Sequence, residues 1–385
     1  MIYWDYNAAA PLRPEVARAL ARALTEGGFG NPSSVHQAGR EARGRLDSAR
    51  ARVARALGCE PKEICFTGSG SEADALALKG AFLARPDPNR RRIVTSSIEH
   101  PAVIAALAQL EKQGAEVVRL KPGTDGRVRV EAVLDALTPA TALCSLMWAN
   151  NETGVVQPAA EVARACRQRG ILFHTDAVQV AGKLPLSLRE VDADLLALSA
   201  YKFGGPVGAG VLVVRKGVDL QALIPGHQEA GRRGGTQNVA YAEALALALD
   251  LAQAEQEATA ARVGALRDAF EREVLAGIPD VTVNGAGAPR VPNTSNLHIH
   301  GADGEALLIA LDLEGICASS GAACASGTLT PSHVLTAMGL TPGQAHGSMR
   351  FSLGPSTTEA EVERVVEALR THVPRARALA AQDLA

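Results

Sequence analysis

Nowhere in the chain do about eighteen apolar residues follow one another, the run that a bilayer-crossing helix needs. The start, MIYWDYNAAAPLRPE, has no basic segment followed by an apolar stretch. No secretory signal is read from it, and the cytoplasm is the expected compartment. Arginines are scattered along helical segments rather than gathered in a block, and the formal net charge is −2. That distribution leaves no electrostatic footprint for nucleic acid or a membrane surface, and points to a small-molecule or protein partner. Six cysteines in 385 residues, none in a C-x-x-C pair, make neither a disulfide framework nor a structural zinc site. Nine histidines are equally dispersed, and His298 with His300 alternates as strand positions do, so no metal site is expected. Low-complexity stretches and internal repeats are also lacking.

What the chain does have is 47% hydrophobic and 21% charged residues, the composition of a soluble globular protein with one large and one smaller domain. From about residue 60, short apolar runs alternate with helical segments. EICFT precedes a helix from Ser71, RIVTSS a helix from Pro101, and TALCSLMW a helix from Pro158. ILFHTDA, DLLALSA and GVLVV continue the rhythm, which predicts a mostly parallel, buried α/β sheet. After a helical stretch over about 238–275, the strands VTVNG and SNLHIH, a helix from Asp303 and the strand SMRFSL predict a smaller α+β unit. The expected division is 15–255 for the large domain, and 1–14 with 256–385 for the small one.

Open α/β sheets bind ligands at the carboxyl ends of their strands, so the polar residues there carry the functional signal. After EICFT comes Gly68-Ser69-Gly70-Ser71-Glu72, a turn whose free N–H groups suit a phosphate, although such turns also cap helices with no ligand. Asp176 and Gln179 follow ILFHT. A buried acid needs a cationic partner, which a protonated pyridine nitrogen of pyridoxal 5'-phosphate (PLP) supplies; the alternative is an ordinary helix-capping aspartate. Lys202 follows Ser199-Ala200-Tyr201 and precedes a glycine-rich turn. A lysine at a strand end in a closed cleft has its pKa depressed and becomes a nucleophile.

Taken in order, DYNAAAP, FGNPSSVH, FTGSGSEAD, IEHPAV, NNETGVVQP, HTDAVQ, the S-x-x-K turn, GRRGGTQNV, SSGAACASG and RFSLG make the chain resemble the cysteine desulfurases. These are fold type I PLP enzymes of aminotransferase class V, and SSGAACASG is similar to the subgroup with the longer cysteine loop. That subgroup serves iron-sulfur cluster assembly and tRNA thiolation. The resemblance implies that Lys202 carries the cofactor as a Schiff base, that Asp176 pairs with the pyridinium, and that Gln179 meets the ring hydroxyl. Gly70, Ser71 and Ser199 would hold the phosphate, with Tyr201 beside them. His100 would stack over the ring and act as acid or base, while Asn151 and Arg350 would bind the substrate carboxylate. Thr236 would reach the phosphate of a second subunit, which implies a homodimer.

Cys324 decides the reaction that the resemblance implies. Its thiolate would take sulfur from L-cysteine, giving L-alanine and a persulfide passed to an acceptor protein, a cluster scaffold or a thiolation protein. Small residues on either side of it, Ala322-Ala323 and Ala325-Ser326-Gly327, suit a moving loop. A free cysteine is otherwise most often a small buried hydrophobe, which fits Cys65, Cys144 and Cys317 in strand-like segments; Cys59 and Cys166 are expected on helices. The family usually has histidine before the lysine, where this chain has Tyr201, and threonine where Ser71 stands. Tyrosine can still donate to a phosphate but titrates far above neutral pH. Selenocysteine lyases and class V aminotransferases share the scaffold and stand as alternatives, as does a PLP-binding scaffold protein without activity.

Overall fold

The computed structural model describes residues 1–26, 29–320 and 330–382. Its main sheet has the strand order Ile64–Thr67, Gly210–Val214, Leu195–Ser199, Leu172–Asp176, Thr141–Ser145, Arg92–Ser96, Glu116–Leu120. Neighbours run parallel, except that Gly210–Val214 is antiparallel to both of its partners. Residues 200–209 leave too little chain for a crossover helix, so that strand returns antiparallel. The sheet is therefore mainly parallel, and the tight return is the segment that carries Lys202. Every residue of Leu195–Ser199 and Gly210–Val214 is buried, as strands covered on both faces must be.

Glu116–Leu120 lies outside the sequence expectation. It is an edge strand with no fully buried residue, and Glu116 and Arg119 interrupt its apolar Val117, Val118 and Leu120. The helix after Ile64–Thr67 starts at Gly70, one residue before Ser71, because the Ser69 side chain accepts from the Glu72 N–H as an N-cap. The helical stretch over 238–275 resolves into Val239–Ala254 and Gln256–Gly277, which meet at Glu255. Helix Gln37–Leu57 buries Ala42, Leu46, Ala49, Val53 and Leu57, an i, i+3, i+4 stripe in the same core as Leu245 and Leu249 of Val239–Ala254. It ends where Gly58 takes φ 69°, a left-handed cap that glycine adopts without strain.

A second, antiparallel sheet has the order Ser319–Ser320, Ser348–Ser352, Thr294–Ile299, Val281–Val283. Residues Ile2–Tyr3 run parallel to Ile316–Cys317. Trp4 is fully buried and meets Phe270 edge-on at 5.1 Å and Phe351 at 6.3 Å, an arrangement that aromatic quadrupoles favour. The N-terminal segment is thereby fixed beside the strand that bears Arg350. His298 lies within Thr294–Ile299, opposite Thr282 and Ser348. Cys65 and Cys144 are buried in strands and Cys166 in the helix Ala159–Gln168. Cys59 sits just past a helix end rather than on it, because Gly58 closes Gln37–Leu57. Among the described residues, no helix is long and apolar enough to cross a membrane.

Candidate active site

Because the parallel strands all point one way, the residues that follow them meet at one edge of the sheet, around a cavity of about 640 Å³. Gly70 and Ser71 arrive after Ile64–Thr67, His100 after Arg92–Ser96, and Asn151 after Thr141–Ser145. Asp176 closes its own strand and Gln179 follows it; Ser199, Tyr201 and Lys202 come from the next strand. Arg350 faces them from the smaller sheet. Thr236 is not on this cavity: it is exposed and lines a separate pocket with Phe66, Thr67 and Gly208. Cys324 falls at a position outside the described residues.

Lys202 Nζ donates to the Asn7 carbonyl at 2.6 Å and the Ala8 carbonyl at 2.7 Å, and lies 4.5 Å from the Tyr201 ring centroid. Burial pushes its pKa down to about 8, and Arg350 pushes in the same direction, while Asp176 and Asp5 oppose. An appreciable minority of this amine is thus neutral near physiological pH, far more than of an ordinary lysine. Burial raises the Asp176 carboxyl above its ordinary range, against the pull of His100, the Val178 N–H and Lys202. Among the described residues its hydrogen bond comes from the Val178 N–H at 2.9 Å. His100 accepts from the Ala102 N–H at Nδ1, 3.1 Å away, so a neutral ring carries its proton on Nε2. Its pKa is lowered by burial, with Asp176 raising it and Lys202 and His333 lowering it further. Arg350 donates from Nη2 to Asp5 and from Nη1 to the Asn151 carbonyl, while its buried Nε has no partner among the described residues.

These features fit PLP. Asp176 is a buried carboxylate with no cationic group bonded to it among the described residues, the environment that a pyridinium nitrogen satisfies. At Gly70 an added Cβ would come within 3.0 Å of Val178 Cγ2 and 3.1 Å of Ser199 Cβ, so glycine lets the helix start pack closely against the strand end that carries Ser199 on this cavity. Lys202 stands within the same cavity.

Sequence reasoning missed several polar residues of the site. Asp74 borders the cavity, and its carboxyl is raised well above the usual range by burial, then by Asp176 and Glu99. Its Oδ1 lies 3.3 Å from His174 Nε2, and burial holds His174 down at about 3. Glu152 and His333 also border the cavity; the Ser332 hydroxyl bonds Glu152, and His333 Nε2 lies 2.9 Å from the Glu99 carbonyl. Asn7 joins Lys202, Asn151 and Thr294. The sequence signal for Asn7, Asp74 and Glu152 was their place inside the motifs DYNAAAP, FTGSGSEAD and NNETGVVQP, without a chemical reason attached, and His333 lies in none of the motifs.

The Aminotransferase class-V model matches residues 2–365. A cysteine desulfurase of Cereibacter sphaeroides is 47% identical over 381 residues, 98% of this chain and 97% of its own. One of Trichormus azollae is 45% identical over 380 residues, 98% of this chain and 94% of its own. Among solved structures, a NifS-like protein superposes with a TM-score of 0.89 at 32% identity, covering 97% of this chain and 99% of its own. A NifS-like protein from Rickettsia africae gives 0.86 at 30%, covering 96% and 99%. The strand-end constellation and these matches agree, and the chain belongs to the class V aminotransferases, a family of PLP enzymes.

Proposed function

We propose that the chain is a cysteine desulfurase, which removes sulfur from L-cysteine, releases L-alanine and passes a persulfide on Cys324 to an acceptor protein. The acceptor serves iron-sulfur cluster assembly or thiolation. One observation carries the reading: Lys202, Asp176 and Arg350 border a single cavity in a chain whose relatives at 45–47% identity are named cysteine desulfurases. As a PLP enzyme it requires that cofactor, which when bound withdraws electrons from the substrate carbons.

The residues act as follows. Lys202, neutral in part at physiological pH, would hold the cofactor covalently and would carry protons near the substrate. Asp176 keeps the ring nitrogen protonated, and Gln179 donates to the ring oxygen. Gly70, Ser71, Ser199 and Tyr201 hold the phosphate, joined by Thr236 of a second copy in a homodimer. Arg350 binds the substrate carboxylate with Asn151. His100, with its proton on Nε2, would stand beside the ring and would exchange protons with the substrate thiol. The Cys324 thiolate then attacks the substrate sulfur. The sulfur–sulfur bond forms as the carbon–sulfur bond breaks, and the carbon takes a proton to become alanine.

Three of the described thiols are held back from reactivity. Burial pushes Cys59 and Cys65 up to about 12, and a hydrogen bond to Cys166 together with burial raises Cys144 well above the ordinary thiol value. The division into 15–255 and 1–14 with 256–385, and a place in the cytoplasm, belong to the same proposal. Cys324→Ser tests it: the visible absorbance of bound cofactor should persist while persulfide formation from cysteine is lost. Full sulfur release by that variant would leave a PLP enzyme but no desulfurase.

A further inference from the structure

Lys183 is 9% exposed, and among the described residues no carboxylate pairs with it. Burial, and then the charges of Lys202 and Arg350, pull its pKa well below the ordinary value. Its Nζ donates to Asn7 Oδ1 at 2.9 Å and to Gln179 Oε1. Gln179 Nε2 in turn donates to the Asn7 carbonyl at 3.0 Å, the same carbonyl that receives Lys202. Gln179 borders the cofactor cavity, whereas Lys183 does not.

We propose that Lys183 is a positioning residue that fixes the orientation of the Gln179 amide. An amide side chain can present either its oxygen or its NH₂ to a given neighbour, and the partners decide which. In either protonation state Lys183 Nζ has at least two N–H donors, and it uses them on Asn7 Oδ1 and Gln179 Oε1, so the Gln179 oxygen turns toward it. The NH₂ group then faces Asn7 and the cavity. One N–H is used on the Asn7 carbonyl, which leaves the other for an anionic oxygen of the bound ring. A methionine would fill the same space without the desolvation cost of a buried amine, so packing alone does not account for a lysine here. The effect reaches the cofactor only through Gln179, and the inference rests on the assignment of Gln179 to the ring oxygen.

The test is a double-mutant cycle read as PLP affinity, by titrating apoenzyme with PLP and following the visible band, together with the melting temperature of the apoenzyme. Lys183→Met should weaken PLP binding roughly tenfold, the loss of about one hydrogen bond. Gln179→Ala should weaken it comparably, and the double variant no further than Gln179→Ala alone. The Lys183→Met apoenzyme should melt no lower than the wild type. Unchanged affinity in Lys183→Met, losses that multiply in the double variant, or a lowered apoenzyme melting temperature would each overturn the inference. Should Lys183→Met fail to fold, Lys183→Gln keeps a donor, and its affinity should fall between wild type and Gln179→Ala; any other value overturns the inference. If Gln179→Ala binds PLP normally, the assignment of Gln179 fails and the inference with it. If only Lys183→Met binds normally, the inference alone fails.

Discussion

Arg350 and Asp5, at opposite ends of the sequence, form an ion pair of 2.6 Å between Nη2 and Oδ1. The Arg350 side chain is 8% exposed and that of Asp5 20%, so the contact is only weakly screened. Asp5 engages one edge of the guanidinium and leaves the Nε donor buried and unpaired among the described residues.

That relationship predicts a binding defect in Asp5→Asn. With the charge gone, Arg350 keeps only neutral acceptors, its rotamer is held less firmly, and a bidentate clamp loses part of its preorganisation. KM for cysteine should rise about tenfold while kcat stays within about twofold, the signature of lost uniform binding. Steady-state kinetics of alanine release measure both. A fall in kcat with KM unchanged would contradict the orienting role.

Cofactor loading should depend on pH through Lys202. Only a neutral amine attacks an aldehyde, and this amine titrates at about 8 rather than at the ordinary lysine value. The rate at which apoenzyme takes up PLP should therefore climb through about pH 8 and level off above it, as followed by the visible band. For the apoenzyme, the depressed pKa also makes stability rise with pH between about 8 and 10.5, where the unfolded chain binds the extra proton. Lys202→Ala should lose both the band and that part of the slope.

Much of this site was legible because its chemistry sits where the chain turns. Lys202, Asp176 and His100 each follow a short apolar run, and the run itself marks the strand end. Asn7 and Lys183 were not legible. Their roles come from hydrogen bonds to residues far away in sequence, and an asparagine or lysine carries no local mark of burial. The reversed direction of Gly210–Val214 was hidden for a related reason. A fully apolar strand reads the same in either direction, and only the short connection through Lys202 sets it. Glu116–Leu120, half exposed at the sheet edge, was masked by the charges of Glu116 and Arg119 around its apolar residues.

Glu99 gives a stability prediction independent of catalysis. It is fully buried; its Oε1 accepts from the Ser96 hydroxyl at 2.5 Å and the Met147 N–H at 3.0 Å, and Oε2 has no partner among the described residues. Burial pushes its pKa up to about 8. Between 4.5 and about 8 the native chain keeps a proton that the unfolded chain gives up, so stability falls as pH rises across that window. Glu99→Gln, which has the same shape and no charge, should flatten this part of the curve. Urea unfolding at about pH 5 and about pH 8 compares the two proteins.

The segment that carries Thr236 is pinned from below by a buried pair. Arg50 Nη1 and Nη2 both lie 2.7 Å from Glu229, whose Oε2 also accepts from the Phe66 N–H and whose Oε1 accepts from Gln237. Glu229 and Ala230 take φ of 49° and 57°, a left-handed geometry that non-glycine residues adopt only when their surroundings impose it. Arg50→Met leaves the Glu229 carboxylate, with a side chain 1% exposed, without its counter-charge. Stability should fall by about 3–5 kcal/mol, the usual consequence of removing one partner of a buried pair. Replacing Glu229 as well should restore part of that loss, because no uncompensated charge remains. If Thr236 serves the phosphate of a second copy, the single variant that still folds should also bind PLP more weakly. That weakening should exceed the change in Arg52→Met, whose partly exposed pair with Asp250 lies on another side of the same helix, and denaturant titration with PLP titration measures the two effects on one sample.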